Sequence, residues 1–307
     1  MPQRRISAVS PARFARCSVS FFALHHVTLW SHSKDMMARF PALPALCTVV
    51  FFVTAAIRPA SADDVVQMEF EGFGPAGLHI LTTHTVIEEN PSWYAIEGDF
   101  STAGFGAWFA NVTNRSVTEG REIANKPQPV TFNSETDRNG AVQHLRVDYK
   151  PDGTPNGTVS PPPKEAVTPI AFNQLPGTVD NLTAYLLLER QLAHNGGCAL
   201  KVPVFDGRHR YDLQFSDAGR HVLSPAEGQN FNGTTQACRM VRTEIGGFYV
   251  DKSHEEGASS GTIWYAPLLP EADLAVPVRM EMQTEIGNVT LFLAQLHSHG
   301  VNLKLMD

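Results

Sequence analysis

Residues 199–215 read ALKVPVFDGRHRYDLQF, and this stretch decides the fold class. In its second half Tyr211, Leu213 and Phe215 alternate with polar residues, which is the period of a strand with one buried face. Asp206 and Gly207 separate two such runs, and an Asp-Gly pair in that position is a strong hairpin signal. The stretch therefore predicts antiparallel strands at residues 199–205 and 208–215.

The same two-residue period recurs on both sides of this hairpin. From Val65 onward, Val66, Met68 and Phe70 alternate with polar residues. Comparable runs predict strands at residues 78–87, 93–100, 107–112, 145–149, 237–243, 261–265, 276–283 and 289–296. Residues 152–169, which are rich in proline, and the polar residues 224–235 are expected to be surface loops. An antiparallel meander is the simplest arrangement of these strands.

One segment has the period of a helix. Thr178 and Asp180 offer caps, and the Asn-Gly-Gly run at residues 195–197 stops the pattern, so we predict a helix at about residues 181–194. Its apolar side chains need a cover, which is either protein alone or a bound ligand. The side chains that would line such an apolar cleft are Leu182, Tyr185, Leu186 and Leu192.

Many strands and one helix without βαβ alternation predict a mainly β fold. We expect a strongly curved antiparallel sheet or a partly open β-barrel, with the helix packed on its concave side. Residues 63–307 are predicted to form a single domain, since neither side of the 152–169 loop looks complete by itself.

The N-terminal residues resemble an export signal. A basic start at residues 36–39 precedes 17 mostly apolar residues, 41–57, and the small residues Ala60 and Ala62 then offer a cleavage site. We therefore predict cleavage between Ala62 and Asp63 and a periplasmic location. A membrane anchor is the alternative, but a span needs about 20 apolar residues and this run contains two prolines. Cys47 lies in the middle of the run, where lipid attachment is not expected.

Residues 1–35 precede the expected start of the signal. Our interpretation is that translation begins at Met36 or Met37 and that these residues are a gene-start error. An Arg-rich organellar presequence is the rival interpretation, and hydrophobic residues such as Phe21, Phe22 and Trp30 count against it.

The mature chain would be acidic and would keep two cysteines. Removing residues 1–62 takes away seven basic residues and one acidic residue, which leaves 17 Lys and Arg against 30 Asp and Glu. A chain with this excess of negative charge is not expected to bind nucleic acid. Cys198 and Cys238 predict a disulfide between neighbouring strands, because a redox-active pair would be expected closer together, as Cys-x-x-Cys.

Several of these motifs together resemble a known family. The residues are 204–213 (VFDGRHRYDL), 177–180 (GTVD), Cys238, 245–248 (IGGF), 263–265 (IWY) and 276–279 (VPVR). In this combination the chain is similar to the exported bacterial proteins of the DUF3108 family, a domain of unknown function. The resemblance implies an envelope location and a β-rich fold, and it brings no catalytic residue with it.

Common catalytic signatures do not occur in the sequence in the structural context that they require. The sequence contains no His-Glu-x-x-His and no phosphate-binding loop. Residues 257–261 (GASSG) match Gly-x-Ser-x-Gly and residues 72–77 (GFGPAG) match the glycine pattern of a dinucleotide site, but each leads into a predicted strand and not into the helix that these motifs require. No catalytic, cofactor-binding or metal-binding residue is therefore predicted. His297 and His299 would share one face of a strand, but spacing implies no third ligand. The paired carboxylates of Glu255 and Glu256 are expected simply to face water.

A charge cluster lies inside the predicted hairpin, formed by Asp206, Arg208, Arg210 and Asp212. Alternating charges on paired strands can stabilise a sheet. The same residues could instead form a polar patch for a ligand or partner, since guanidinium groups suit carboxylates and phosphates.

Three function classes follow. The leading hypothesis is a non-enzymatic binding module of the cell envelope, whose ligand is lipid-like or another envelope component. The second is a hydrolase of envelope polymers, which would need a cleft with converging acids of perturbed pKa. The third is a scaffold in an envelope complex, which would present an exposed apolar patch.

Overall fold

A computed structural model of the chain describes residues 64–194, 196–251, 257–269, 273–284, 287–298 and 300–306. The described residues form fourteen strands and one α-helix. In chain order they are β1 Asp64–Phe73, β2 His79–Asn90, β3 Trp93–Thr102, β4 Val112–Ile123, β5 Lys126–Arg138, β6 Ala141–Tyr149, β7 Pro155–Ser160, α1 Asn181–Ala193, β8 Leu200–Phe205, β9 Arg210–Leu223, β10 Gly233–Gly246, β11 Ser260–Ala266, β12 Val276–Thr284, β13 Gly287–Ser298 and β14 Val301–Lys304. The chain is mainly β, as predicted.

All fourteen strands belong to one antiparallel sheet. Its order is β7-β6-β5-β4-β3-β2-β1-β13-β12-β11-β10-β9-β8, and β14 pairs with β13 beside this path. Chain neighbours are therefore sheet neighbours within two meanders, which agrees with the predicted topology. The two meanders are joined by the β1–β13 pairing, in which Gln67 lies opposite His297.

The sheet curves until its two edges approach each other. A Cβ atom at Gly157 of edge strand β7 would lie 2.6 Å from the Phe205 ring and 2.8 Å from the Cα of Gly207, at the end of edge strand β8. The segment before α1 covers the β8 edge, because the Val179 amide donates to Pro203 and the Phe205 amide donates to Val179. The architecture is a nearly closed, barrel-like sheet, which confirms the expected fold class.

The helix begins where its cap was predicted. The Asp180 carboxylate accepts a hydrogen bond from the Thr183 amide at 2.9 Å, and α1 ends at Ala193, one residue before the predicted boundary. Leu186 packs into one core cluster with β1, β12 and β13, whereas Ala184 and Leu188 pack into a second with β8, β9 and β10. Because apolar residues on several sides of the helix are covered by strands, α1 fills the interior of the curved sheet.

The predicted disulfide joins Cys198 to Cys238, with 5.4 Å between their Cα atoms. One part of that prediction was wrong, since the bridge does not join neighbouring strands. Cys238 is on β10, Cys198 precedes β8, and β9 lies between these strands in the sheet. Cys198 precedes β8 and is not held in register by strand pairing. It can therefore reach Cys238 across the intervening strand.

Several strand predictions needed correction. Strand β14 was not predicted, and β10 begins inside the expected loop 224–235. The predicted strand 107–112 is a 3-10 turn, Gly106–Trp108, followed by the start of β4. Most of β4 and β5 was not predicted, because several of their buried positions carry the small polar residues Ser116, Thr118 and Ser134 in place of large apolar ones. The expected loop 152–169 contains β7, whose Asn-Gly pair resembles a turn.

Candidate functional site

An open cleft of about 560 Å³ lies at one end of the curved sheet. It forms where the β2–β3 and β4–β5 turns approach the C-terminal half of α1. The lining residues are Asp64, Glu89, Asn90, Pro91, Glu122, Asn125, Lys126, Pro127, Leu187, Arg190, Gln191, His194 and Asp273. In an antiparallel meander, alternate turns lie at the same end of the sheet, which is why these two turns meet here.

Arg190 of α1 is the centre of an ion cluster in this cleft. Its Nη2 lies 2.5 Å from Glu89 Oε2 on β2, and its Nη1 lies 2.7 Å from Glu122 Oε1 on β4. The three side chains are 16, 13 and 8% exposed, so the cluster is largely shielded from water. We call Glu89, Glu122 and Arg190 the buried triad.

The two arms of the buried triad differ in geometry. The Arg190–Glu89 contact is a hydrogen bond. Glu122 Oε1 is buried and finds no well-aligned hydrogen-bond donor among the described residues, so its short contact with Arg190 is chiefly ionic. Burial alone would lower the pKa of Arg190, but the hydrogen bond and charge of Glu89, together with Glu122, outweigh it and raise that pKa. The guanidinium is therefore permanently charged.

Glu189, next to Arg190 on the helix, is a buried acid behind the cleft wall. It is 7% exposed, and burial, reinforced by the charge of Glu89, raises its pKa to about 8. Its charge also contributes to raising the pKa of the buried Tyr265, for which burial is the main cause. Glu189 is therefore mainly protonated at neutral pH.

The cleft as a whole is acidic. Its four carboxylates belong to the buried triad, Asp64 and Asp273, and its two fixed cations are Arg190 and Lys126. With His194 neutral, the formal charge is −2. Leu187 supplies an aliphatic wall. Such a surface suits a polar ligand that carries positive charge.

The four predicted apolar cleft residues lie elsewhere. Leu186 is 1% exposed in the first core cluster, and Leu182 packs against that cluster. Tyr185 and Leu192 pack against the second cluster. None of the four lines the described cleft, and each has protein around it, so a role in binding an apolar ligand stays a prediction.

The predicted polar patch is placed around the β8–β9 turn, with most of its groups already partnered. The Asp206 carboxylate accepts hydrogen bonds from the Arg208 and His209 amides. Burial would raise the pKa of Asp206, but the charge and hydrogen bonds of His209 lower it.

The remaining patch residues are also held by protein. Arg210 donates to Asp212 at 2.6 Å and to the Gln174 carbonyl at 2.8 Å. Arg208 is 7% exposed and lies over the Tyr249 ring, 4.3 Å from its centre. These contacts stabilise the turn, and a ligand or partner role for the patch remains a prediction.

Sequence reasoning missed the buried triad because its members are distant in the chain. Glu89 and Glu122 each lie at the next-to-last position of a strand, before a turn. Once a meander is assumed, acids that end alternate strands are expected at one end of the sheet. This positional signal could have identified the site.

The histidine motifs contribute little to the described part. His297 is on β13, 3.4 Å from Gln295 Oε1, and its predicted companion His299 lies outside the described residues. Residues 254–256 also lie outside them. Within the described ranges, no three His, Cys, Asp or Glu side chains are grouped as metal ligands would be. No helix among the described residues has the length and apolar character needed to cross a membrane.

Comparison with known proteins gave a family match and a structural match. A family model described as "Protein of unknown function (DUF3108)" matches residues 66–294. A crystal structure of a β-barrel-like protein of the domain of unknown function DUF1849 from Brucella abortus is similar at 12% identity and a TM-score of 0.46. That match covers 76% of this chain and 97% of the other. No curated protein matches the sequence.

Proposed function

We propose that this chain, which belongs to the DUF3108 family of proteins of unknown function, is a non-enzymatic binding module of the bacterial cell envelope. The observation that carries the proposal is the cleft of about 560 Å³ around the buried triad. A cleft of this size is within the range of small-molecule sites. The triad provides a rigid polar wall, because both of its carboxylates are held by Arg190.

The charge of the cleft indicates the ligand class. Asp64 and Asp273 are not part of the buried triad, and Lys126 compensates only one of them. We therefore expect an envelope component that presents an ammonium group, either a lipid head group or a peptide amine. This narrows the lipid-like ligand of the leading hypothesis to molecules whose polar end is bound.

Native mass spectrometry of the protein purified from its cells' envelope fraction tests this proposal. A bound mass that lipid extraction removes identifies a lipid, and a bound mass that remains and fragments as a peptide identifies a peptide. A protein that carries no added mass, and binds neither ethanolamine phospholipid nor amine-bearing peptides when they are added, contradicts the proposal.

A charge variant locates the binding site. Asp64→Asn with Asp273→Asn removes two charges from the cleft, and we expect the bound fraction to fall. Glu119→Gln with Glu135→Gln makes the same charge change at two exposed strand positions outside the cleft lining and serves as the control. Equal binding by both double variants would place the ligand elsewhere.

A periplasmic location is part of the proposal and depends on residues 1–62. These residues lie outside the described structure. N-terminal sequencing of the protein from fractionated cells is expected to begin at Asp63 in the periplasmic fraction. A full-length cytosolic chain with both thiols reduced would contradict export.

One observation favours a hydrolase as the second candidate. Glu189 has a raised pKa and lies near the charge of Glu89, so two carboxyl groups of different protonation are close to one cleft. An enzyme of this kind would cleave an envelope polymer and lose turnover in Glu189→Gln while remaining folded. Turnover that is unchanged in this variant would exclude Glu189 as its acid.

A further inference from the structure

The connection between β3 and β4 exposes three aromatic side chains. Trp108 and Phe109 are 83% and 79% exposed, and Phe105 is 41% exposed. The Phe105 ring stacks on Trp108, with 5.6 Å between ring centres, and meets Phe109 edge-on at 5.3 Å. We call residues 103–111 the aromatic loop. Large apolar side chains exposed together indicate a surface that contacts something else.

The aromatic loop lies at the end of the sheet opposite the cleft. The cleft is built from the β2–β3 and β4–β5 turns, whereas this loop joins β3 to β4, and alternate connections of a meander lie at opposite ends. The loop therefore does not belong to the proposed binding cleft, and the inference below does not depend on that cleft.

The loop carries no charge. Residues 100–114 contain no Asp, Glu, Lys or Arg, although these types make up 18% of the chain. Transfer of its tip into an apolar medium would therefore require no ion to lose its hydration, which is the largest cost of such a transfer.

The backbone of the loop is also largely satisfied from within. The Ala103 and Phe105 amides donate to the Ile80 and His79 carbonyls of β2. The amides of Gly106, Trp108, Phe109 and Ala110 donate to carbonyls inside the loop. Unpaired backbone amides are costly in hydrocarbon, so this internal pairing suits a segment that leaves water.

Two glycines allow the loop to hold this conformation. A Cβ atom at Gly106 would lie 2.3 Å from the Ile80 carbonyl oxygen. Gly104 has a φ of +49°, and a Cβ there would lie 2.8 Å from the His79 carbonyl oxygen. The rings are thus presented by a backbone packed tightly against β2.

We propose that the aromatic loop inserts Trp108 and Phe109 into the interface of a lipid bilayer. Trp is the side chain most typical of that interface. Three aromatic side chains bury at most a few hundred Å², which is less than the roughly 800 Å² per partner of a stable protein interface. The area therefore favours shallow insertion over a protein partner. Because the chain has a net negative charge, it is not attracted to anionic lipid. We therefore expect the loop to insert into bilayers made of zwitterionic lipid alone.

Flotation with vesicles of dioleoylphosphatidylcholine tests the inference. The protein is used in the form in which it is isolated from its cells. We expect Trp108→Ser with Phe109→Ser to reduce the vesicle-bound fraction about tenfold or more, from the loss of two buried aromatic side chains. Phe172→Ser removes another exposed ring, 74% exposed and outside the loop, and is expected to leave partition unchanged.

A second measurement excludes binding through the apolar N-terminal run. Brominated phosphatidylcholine is expected to quench part of the wild-type tryptophan emission, and Trp108→Phe is expected to abolish that part. Equal partition of the double variant and the wild type would overturn the inference, as would quenching that persists in Trp108→Phe. A change of oligomeric mass in place of a change in partition would also overturn it and assign the loop to a protein contact.

Discussion

The Glu189 carboxyl lies in the core beside the charge of Glu89, and burial raises its pKa to about 8, from an ordinary value of 4.5. The folded chain therefore keeps this proton between about pH 4.5 and pH 8, whereas the unfolded chain releases it. In that window the unfolded state binds fewer protons, so the free energy of unfolding falls as pH rises. The contribution is fully retained below pH 4.5 and is lost by about pH 8.

We expect Glu189→Gln to remove this pH dependence. The wild-type free energy of unfolding should fall by about 1 kcal/mol per pH unit across the window from this group alone, and the variant should lack that component. Urea unfolding at pH 5 and pH 8 measures both slopes. Glu119→Gln, at an exposed position of β4, is the control, and equal slopes in all three proteins would contradict a raised pKa for Glu189.

The buried triad leads to a second expectation. Arg190→Met would leave Glu89 and Glu122 shielded from water without their cation, and breaking a buried pair in this way costs about 3–5 kcal/mol. Arg115→Met is the matched control, because Arg115 binds Glu97 with a 65% exposed side chain and such pairs contribute under about 1 kcal/mol. Urea unfolding near pH 7 compares them. Similar losses in both variants would mean that the triad is effectively solvated.

The helix depends on its cap in an unusual way, since Asp180 is fully buried. Besides the Thr183 amide, its carboxylate accepts hydrogen bonds from the Thr118 and Thr183 hydroxyls, both at 2.7 Å. Tyr94 contacts the same Thr183 hydroxyl at 2.9 Å. The cap therefore connects α1 to β3 and β4, and its loss affects the sheet as well as the helix.

We expect Asp180→Ala to lower the free energy of unfolding by about 2–4 kcal/mol, because it removes the cap and leaves two buried hydroxyls without their acceptor. Asp180→Asn retains one acceptor oxygen and should lose less. Chemical denaturation followed by far-UV circular dichroism measures both. If the Asn and Ala variants were equally unstable, the buried charge rather than the cap would be the important feature.

Among the structural elements, the features predicted correctly from the sequence are those that depend on residues close together in the chain. The Asp180 cap, the apolar spacing of α1 and the hairpin around Asp206 all act over a few residues, and the structure has them. Strands β4 and β5 were missed because α1 fills the interior, so the inner face of these strands carries small hydroxyl residues such as Thr118 that contact the helix cap. Their pattern reflects a neighbour that is more than 60 residues away in the chain.

The candidate site was less predictable than the fold for the same reason. Glu89, Glu122 and Arg190 come from three elements, and no short motif connects them. The pairing of Cys198 with Cys238 was predictable, because the domain has two cysteines and an oxidising compartment was expected. The position of the bridge relative to the strands was not predictable. A sequence shows which residues are able to pair, such as two cysteines or an acid and a base. Which of them lie close together depends on how the sheet closes.

For the molecule as a whole, the Cys198–Cys238 bridge closes a loop of 40 residues. Replacing both cysteines by alanine should lower the free energy of unfolding by roughly 4 kcal/mol in the chain-entropy model. Urea unfolding of the wild type under reducing conditions should reproduce the loss seen in the double variant. A reduced protein as stable as the oxidised one would indicate that the unfolded chain is already compact in this region.

The β1–β13 pairing has a consequence for how the chain acquires its structure. Gln67 lies opposite His297, so the two meanders can pair only after some 230 further residues have been synthesised. Until then β1 has a free edge, and such distant contacts form slowly. The complete sheet therefore forms only when nearly the whole chain is available, and the unpaired edge of β1 is exposed to aggregation until that point.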